Sequence, residues 1–184
     1  MVHPFVVIDC ETTGLGRNDR IVEIAAVTLD ASTKEVTSEY TTLLNPQCDV
    51  GPVDIHGVTS AMVETAPVFE EIAGALATRL DGAVLVAHNL PFDSRMIAQE
   101  FERLGTQFAP GKGICTLKAT SAKLSVACAR YGIELTAHHC ALADARATAA
   151  LMKRCIKTRP VTMPASIGRV PWVANSRTLS RERR

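Results

Sequence analysis

Asp9 and Glu11 stand one residue apart at the end of the chain's first apolar run, Phe5-Val6-Val7-Ile8. A short run rich in β-branched residues and ended by a glycine turn reads as a buried strand. Side chains alternate along a strand, so both carboxylates point to the same face. Like charges held that close repel, and the pair is costly unless something positive sits between them. Acidic oxygen ligands suit a hard divalent cation such as Mg²⁺ or Mn²⁺. The plainer reading is an exposed acidic strand end that caps the next turn, and a D-x-E pattern alone does not choose between the two.

Two further stretches bring acids to places where ligands bind. In His88-Asn89-Leu90-Pro91-Phe92-Asp93 a short apolar strand turns over into a helix and delivers Asp93. Open α/β sheets bind ligands outside the carboxyl ends of their strands. Asp93 alone would equally suit a helix start, where the macrodipole favours an acid. His88 and Asn89 suit bracing of the loop, where their side chains satisfy backbone groups. In His139-Cys140-Ala141-Leu142-Ala143-Asp144 an imidazole and a carboxylate stand five apart at the start of the last helix. Asp144 borders the apolar face of that helix and can reach inward. His139 precedes the helix, and its neighbour His138 competes for the same role. Several acids with an imidazole nearby are what two-metal hydrolysis of a phosphodiester needs.

The elements that must hold these residues follow from periodicity. Residues 20–29 and 35–44 continue the first strand as an antiparallel meander with short turns. A loop runs from Asn45-Pro46 to about Thr59. Phe69, Ile72, Ala73, Leu76 and Leu80 then recur at helical spacing. Residues 83–87 make a buried strand. Phe92, Met96, Ile97, Phe101 and Leu104 form the stripe of a helix that Pro91 opens and Gly105 ends. One more short strand is expected at 112–116, helix at 120–131, and a last helix from about Cys140 to Lys157. The pattern is α/β, a mixed five-stranded sheet with helices on both faces.

Composition narrows the class. The chain has 184 residues, 47% of them hydrophobic and 21% charged, which suits one globular domain. No run approaches a membrane span, and the first strand begins too early to leave space for a signal peptide. The six cysteines form no C-x-x-C pair, which argues against a zinc site or disulfide framework and for a reducing cytoplasm. From Lys157 onward there are seven Lys/Arg and one Glu, a net of +6, so the remaining 156 residues carry 1 − 6 = −5. Periodicity stops at Arg159. The expected division is a domain over 1–157 and a basic, Pro-containing tail or linker over 158–184, outside the core. The plainer alternative is that Val170 and Trp172 pack back onto the body.

The segments V-I-D-C-E-T-T-G-L at 7–15, H-N-L-P-F-D at 88–93 and H-C-A-L-A-D-A at 139–145 resemble the three motifs of the DEDDh 3′→5′ exonucleases, the DnaQ-like family of the proofreading ε subunit of bacterial DNA polymerase III. The resemblance covers roughly residues 4–157. It implies a ribonuclease H-like fold. It implies two divalent ions, Mg²⁺ or Mn²⁺, bound by Asp9, Glu11, Asp93 and Asp144, with Asp93 acting through water. It makes His139, in preference to His138, the general base. Thr12 is then the residue beside the terminal 3′-hydroxyl and Leu15 the apolar wedge near the terminal base. Ile55 and His56, in Ile55-His56-Gly57-Val58-Thr59, lie in the loop near the terminal nucleotide, although a loop brace is an equal reading of His56. Cys140 stands where the sister branch of the family has its catalytic tyrosine.

The resemblance implies release of nucleoside 5′-monophosphates from single-stranded or mismatched DNA 3′ ends, in proofreading or repair. A polymerase subunit or a further domain is the implied partner. Two divalent ions would take the body from −5 to about −1, which reconciles its acidity with an anionic substrate. The same chemistry on RNA 3′ ends is the second reading, and aromatic residues at 4% of the chain do not advertise base stacking. A non-catalytic, polymerase-associated scaffold is the third, and it has no need of a self-repelling acidic cluster.

Overall fold

The computed structural model describes residues 3–156 and 162–168. Strand β1 (Phe5–Thr12) occupies the centre of the main sheet, and Val6, Val7 and Ile8 on it are wholly inaccessible. Both of its faces are covered, which is why its sequence is a continuous apolar run. β2 (Ile21–Leu29) pairs antiparallel with β1, and β3 (Val36–Leu43) pairs antiparallel with β2. β3 is an edge strand, mostly exposed, and its sequence is polar as an edge requires. Of two one-turn helices, α1 (Val53–His56) lies in the stretch where the sequence pattern suggests loop, and α2 (Ser60–Val63) comes just after it. There follow α3 (Phe69–Leu80), β4 (Val84–Ala87), α4 (Leu90–Arg103), β5 (Phe108–Ala109), β6 (Ile114–Cys115), α5 (Thr116–Thr120), α6 (Leu124–Tyr131), α7 (Ala141–Cys155) and β7 (Ser166–Ile167).

The five-stranded sheet has the order β3-β2-β1-β4-β6, with β4 parallel to β1 and β6 parallel to β4. It is the mixed sheet the sequence predicts. Alternation along β1 divides the core. Val6, Ile8 and Cys10 pack with α3 and α4 through residues such as Phe69, Leu76, Met96 and Phe101. Val7 packs on the opposite face with Ala141, Ala145, Ala149 and Met152 of α7. The small alanines let α7 lie close against β1 and β2. Gly113 permits another close approach, since a Cβ there would stand 2.2 Å from the Leu85 carbonyl oxygen.

Two further expectations change. The single helix over 120–131 is divided into α5 and α6, because Ser121 takes a left-handed conformation with φ of 51° and its N–H closes the end of α5 on Leu117. The expectation that nothing beyond Arg159 belongs to the core is corrected for residues 162–168. β7 pairs antiparallel with β5, and Met163 bridges Lys112. Ala165 is 2% exposed in the core shared with Leu80 and Phe101. Its N–H donates to the Ala83 carbonyl at 2.7 Å, and its carbonyl accepts from Gly82 N–H at 2.9 Å. Backbone pairing of so short a segment, with one small residue inward, leaves no periodic trace in the sequence. Val170 and Trp172 lie outside the described residues. No helix among the described residues is long and apolar enough to cross a membrane.

This docking has a thermal consequence. A chain ended at residue 158 should melt roughly 5 °C or more below the full chain, since a 1 kcal/mol loss in a domain of this size lowers Tm by about 2–4 °C. Differential scanning calorimetry of the two proteins measures it, and equal melting temperatures would mean that the segment adds no stability.

Candidate active site

The alternation that sends Val7 toward α7 sends Asp9 and Glu11 the same way. On α7, Asp144 lies in the first turn, 4% exposed, and faces them. Oxygens of Asp9, Glu11 and Asp144 all lie within 4.8 Å of one another. Asp93, also 4% exposed, comes from the first turn of α4 on the other side of β1. Its Oδ1 accepts the Cys10 N–H at 3.1 Å. That donor is free because β4 stops pairing with β1 at Val7↔Val86 and the chain turns away into α4. All four carboxylates line one cleft of about 700 Å³, together with His56, His88, His138 and His139.

Electrostatics inside the cleft is one-sided. Burial, and then the charges of Asp93, Asp144, Glu11 and Glu23, hold the Asp9 carboxyl well above the ordinary carboxylate range. Burial, with Asp144 and Glu23 adding to it, pushes Glu11 up to about 7. Burial lifts Asp93 to about 8 in spite of the backbone hydrogen bonds it accepts from Cys10 and its own N–H. Carboxyls that cluster at such cost fit a divalent ion, whose charge reverses each of these shifts, and the donors are the hard oxygens Mg²⁺ and Mn²⁺ take. Asp9, Glu11 and Asp144 form the close set, and Asp93 stands outside it.

The two histidines before α7 differ in what they touch. His138 Nδ1 lies 2.9 Å from Asp144 Oδ2. His139 stacks on His138 with centroids 3.9 Å apart, and its ring nitrogens have no hydrogen-bond partner among the described residues. Its backbone is left-handed, with φ of 66°, and its N–H donates to Asp144 Oδ2 at 3.3 Å. A non-glycine residue held there stores strain of a kind that collects at functional sites. Burial and the neighbouring His138 lower the pKa of His139, so its imidazole is neutral at neutral pH.

The residues expected to touch a ligand line the same cleft. Thr12 is buried, and its hydroxyl donates to the Gly14 carbonyl at 2.8 Å. Leu15 is 77% exposed and Ile55 56% exposed, apolar side chains held at the mouth. His56 is buried with Nε2 3.2 Å from the Val50 carbonyl and Nδ1 accepting Val58 N–H at 3.0 Å. Both nitrogens are committed to the loop, and the residue lines the cleft. His88 and Asn89 also line it.

Several supports could not be found from sequence spacing. Glu23 stands opposite Glu11 in the β1–β2 register. Its Oε2 accepts Ala141 N–H at 3.0 Å and so caps α7, whose own N-cap, Cys140, supplies no side-chain cap. The helix that carries Asp144 is thereby tied to the strand beside Glu11. The loop that carries Leu15 is clamped from α4. Arg95 donates to the Leu15 and Gly16 carbonyls, and Arg103 donates to those of Arg17 and Asp19. Glu100, 1% exposed, accepts Arg20 Nε at 2.8 Å and Ile21 N–H at 3.2 Å. The only signal was polar residues on a helix with an apolar stripe, which usually means a solvated face.

The exonuclease family model RNase_T matches residues 6–152 of the chain. A DNA polymerase III subunit epsilon-like protein of Rhodobacter capsulatus is 36% identical over 174 residues, which is 86% of this chain and 25% of that protein. A PolC-type DNA polymerase III of Oceanobacillus iheyensis is 32% identical over 164 residues, 83% of this chain and 11% of that protein. The chain therefore spans a quarter or less of the length of these two relatives. Among solved structures, Exonuclease X in complex with 5′ overhanging duplex DNA aligns with a TM-score of 0.67 at 28% identity, over 83% of this chain and 90% of that one. The nuclease domain of 3′hExo, a DEDDh family member bound to rAMP, aligns with a TM-score of 0.72 at 17% identity, over 88% and 98%, a likeness of fold.

The raised carboxyls make stability depend on pH. Glu11 and Asp93 stand near 7 and 8 against ordinary values of 4.5 and 3.8. Between those limits the folded protein holds protons that the unfolded chain has released, so stability present in acid is lost as pH rises. In EDTA the melting temperature should fall between about pH 5 and pH 8. Saturating Mg²⁺ should remove most of the fall, and Glu11→Gln should shrink it. A flat profile in EDTA would contradict the repulsion.

Proposed function

The chain belongs to the exonuclease family, and from that premise we propose that it is a metal-dependent 3′→5′ exonuclease that releases nucleoside 5′-monophosphates from single-stranded or mismatched DNA ends. The supporting observation is the convergence of Asp9, Glu11 and Asp144 within 4.8 Å, with His139 alongside and Asp93 across the strand. DNA is favoured over RNA because the relatives of at least 30% identity carry DNA polymerase names and Exonuclease X is bound to DNA. The same relatives support a role in proofreading or repair, beside a polymerase subunit or a further domain. A scaffold role is disfavoured, because a buried set of mutually repelling carboxyls costs stability and serves nothing without a cation.

Asp9, Glu11 and Asp144 would hold two divalent ions, Mg²⁺ or Mn²⁺, with Asp93 contributing through water. When bound, such ions supply Lewis-acid charge to the attacking and leaving oxygens of an in-line displacement. His139, neutral and with unoccupied ring nitrogens, accepts the proton of the attacking water. His138 steadies Asp144 through its Nδ1 contact. Thr12 receives the terminal 3′-hydroxyl, Leu15 wedges beside the terminal base, and Ile55 with His56 supports the terminal nucleotide.

A 5′-labelled DNA primer with a 3′ mismatch and an RNA oligomer, each incubated with Mg²⁺ or EDTA and sized, test the proposal. Stepwise shortening of the DNA with Mg²⁺ alone is expected. Faster shortening of the RNA would reverse the substrate, and intact strands in every lane would reject the enzyme. Two sets of variants test the roles. Asp9→Ala should lower turnover by orders of magnitude with the fold retained. His139→Ala should lower the rate by roughly 10²–10⁴-fold, the worth of a positioned base. A large loss from His138→Ala with little from His139→Ala would exchange their roles.

A further inference from the structure

The cleft holds four carboxylates, and among the described residues that line it Lys123 is the sole Lys or Arg. The Lys123 ammonium makes no ion pair or hydrogen bond with any described residue, the four carboxylates included. A flexible ammonium that stays clear of so much negative charge is available for another anion.

The backbone that presents it is pinned. His88 Nε2 lies 3.1 Å from the Ala122 carbonyl oxygen, and Nδ1 lies 2.9 Å from Thr116 Oγ1. A carbonyl only accepts, so Nε2 carries the hydrogen and Nδ1 accepts from the hydroxyl. Burial lowers the pKa of His88, which keeps the ring in that neutral form. Thr116 is fully buried and Ala122 is 9% exposed. Ser121, left-handed, closes the end of α5 through its N–H to the Leu117 carbonyl at 2.7 Å. The turn between α5 and α6 is thus held from the first residue of the H-N-L-P-F-D segment, and Lys123 leaves it toward the cleft.

On the exonuclease reading, the scissile phosphate lies against Asp9, Glu11 and Asp144. A strand brings a second phosphate into the cleft immediately on the 5′ side, where those carboxylates would repel it. We infer that Lys123, on the turn that His88 braces, binds this second phosphodiester. The subsite takes the backbone of a single strand and reads no base, so it serves affinity for a chain over affinity for a lone nucleotide.

Two substrates separate this contact from the chemistry. An oligothymidylate carries the second phosphodiester, and thymidine 5′-(p-nitrophenyl phosphate) carries only the scissile one. Both are assayed with Mg²⁺ for the wild type, Lys123→Ala and Lys123→Arg. Lys123→Ala should raise KM for the oligonucleotide about 10-fold, the low end for a charge-assisted hydrogen bond. The ratio of kcat/KM between the two substrates should fall by the same factor, and Lys123→Arg should restore it. The slope of log kcat/KM against log salt on the oligonucleotide should flatten by about 0.7, one single-strand phosphate contact. An active wild type with an unchanged ratio in Lys123→Ala would overturn the inference alone. A wild type inert on both substrates would overturn the exonuclease reading and the inference with it.

Discussion

Mutual repulsion among buried carboxylates is the constraint that the rest of this structure answers to. Asp9, Glu11 and Asp93 all sit where burial and neighbouring acids raise their proton affinity. Left to itself such a cluster would spread apart or draw in water. It stays compact because its acids come from three rigid elements, β1, α4 and α7, and those elements are fixed to one another mainly by contacts outside the cluster. β1 is fixed by pairing on both sides and by apolar packing on both faces. α7 is fixed by alanines against the sheet and by the Glu23 cap at its first turn. α4 is fixed by its own stripe on the opposite face.

The supports are themselves charged, which makes their placement selective. Glu23 brings another negative group beside Glu11, yet it satisfies a backbone donor at a helix N-terminus, where negative charge is favoured. Glu100 is almost wholly buried but has Arg20 and a backbone N–H as partners. In both cases the acid that holds the frame is compensated by the protein. Asp9 and Glu11, which face the cleft, have no such partner among the described residues, and that contrast marks them off from the structural acids more sharply than residue type does.

The sheet, the helices on its two faces and the D-x-E strand were legible in the sequence because they rest on local periodicity: Phe69 to Leu80 at helical spacing, and the unbroken Phe5 to Ile8 run. Asp93 and Asp144 were legible as candidates, since each follows a strand or loop and opens a helix. Other features depend on which strand lies opposite which. Glu23 gains its role only when the register sets it across from Glu11 and beside Ala141. Ala165 is an unremarkable alanine after a proline until its backbone is seen bonded to Gly82 and Ala83. The commitment of both His56 nitrogens to Val50 and Val58 was likewise beyond reach, because it depends on a loop conformation set by Gly51, where a Cβ would strike the Thr13 carbonyl at 2.1 Å.

The adjacent histidines show how tertiary contact can differentiate neighbours that sequence leaves equivalent. In an extended loop, successive side chains would point apart. The left-handed backbone at His139 instead stacks the rings and aims the N–H of His139 at Asp144, while the ring of His138 reaches the same carboxylate. One imidazole is thereby spent on orienting an acid, and the other keeps its nitrogens unengaged. Relaxing the backbone of His139 to an ordinary helical or extended conformation would break the stack and withdraw that N–H. The strain at this residue is what keeps the two roles apart, and it is tolerated because the contacts to Asp144 and the Glu23 cap just beyond it hold the loop on both sides.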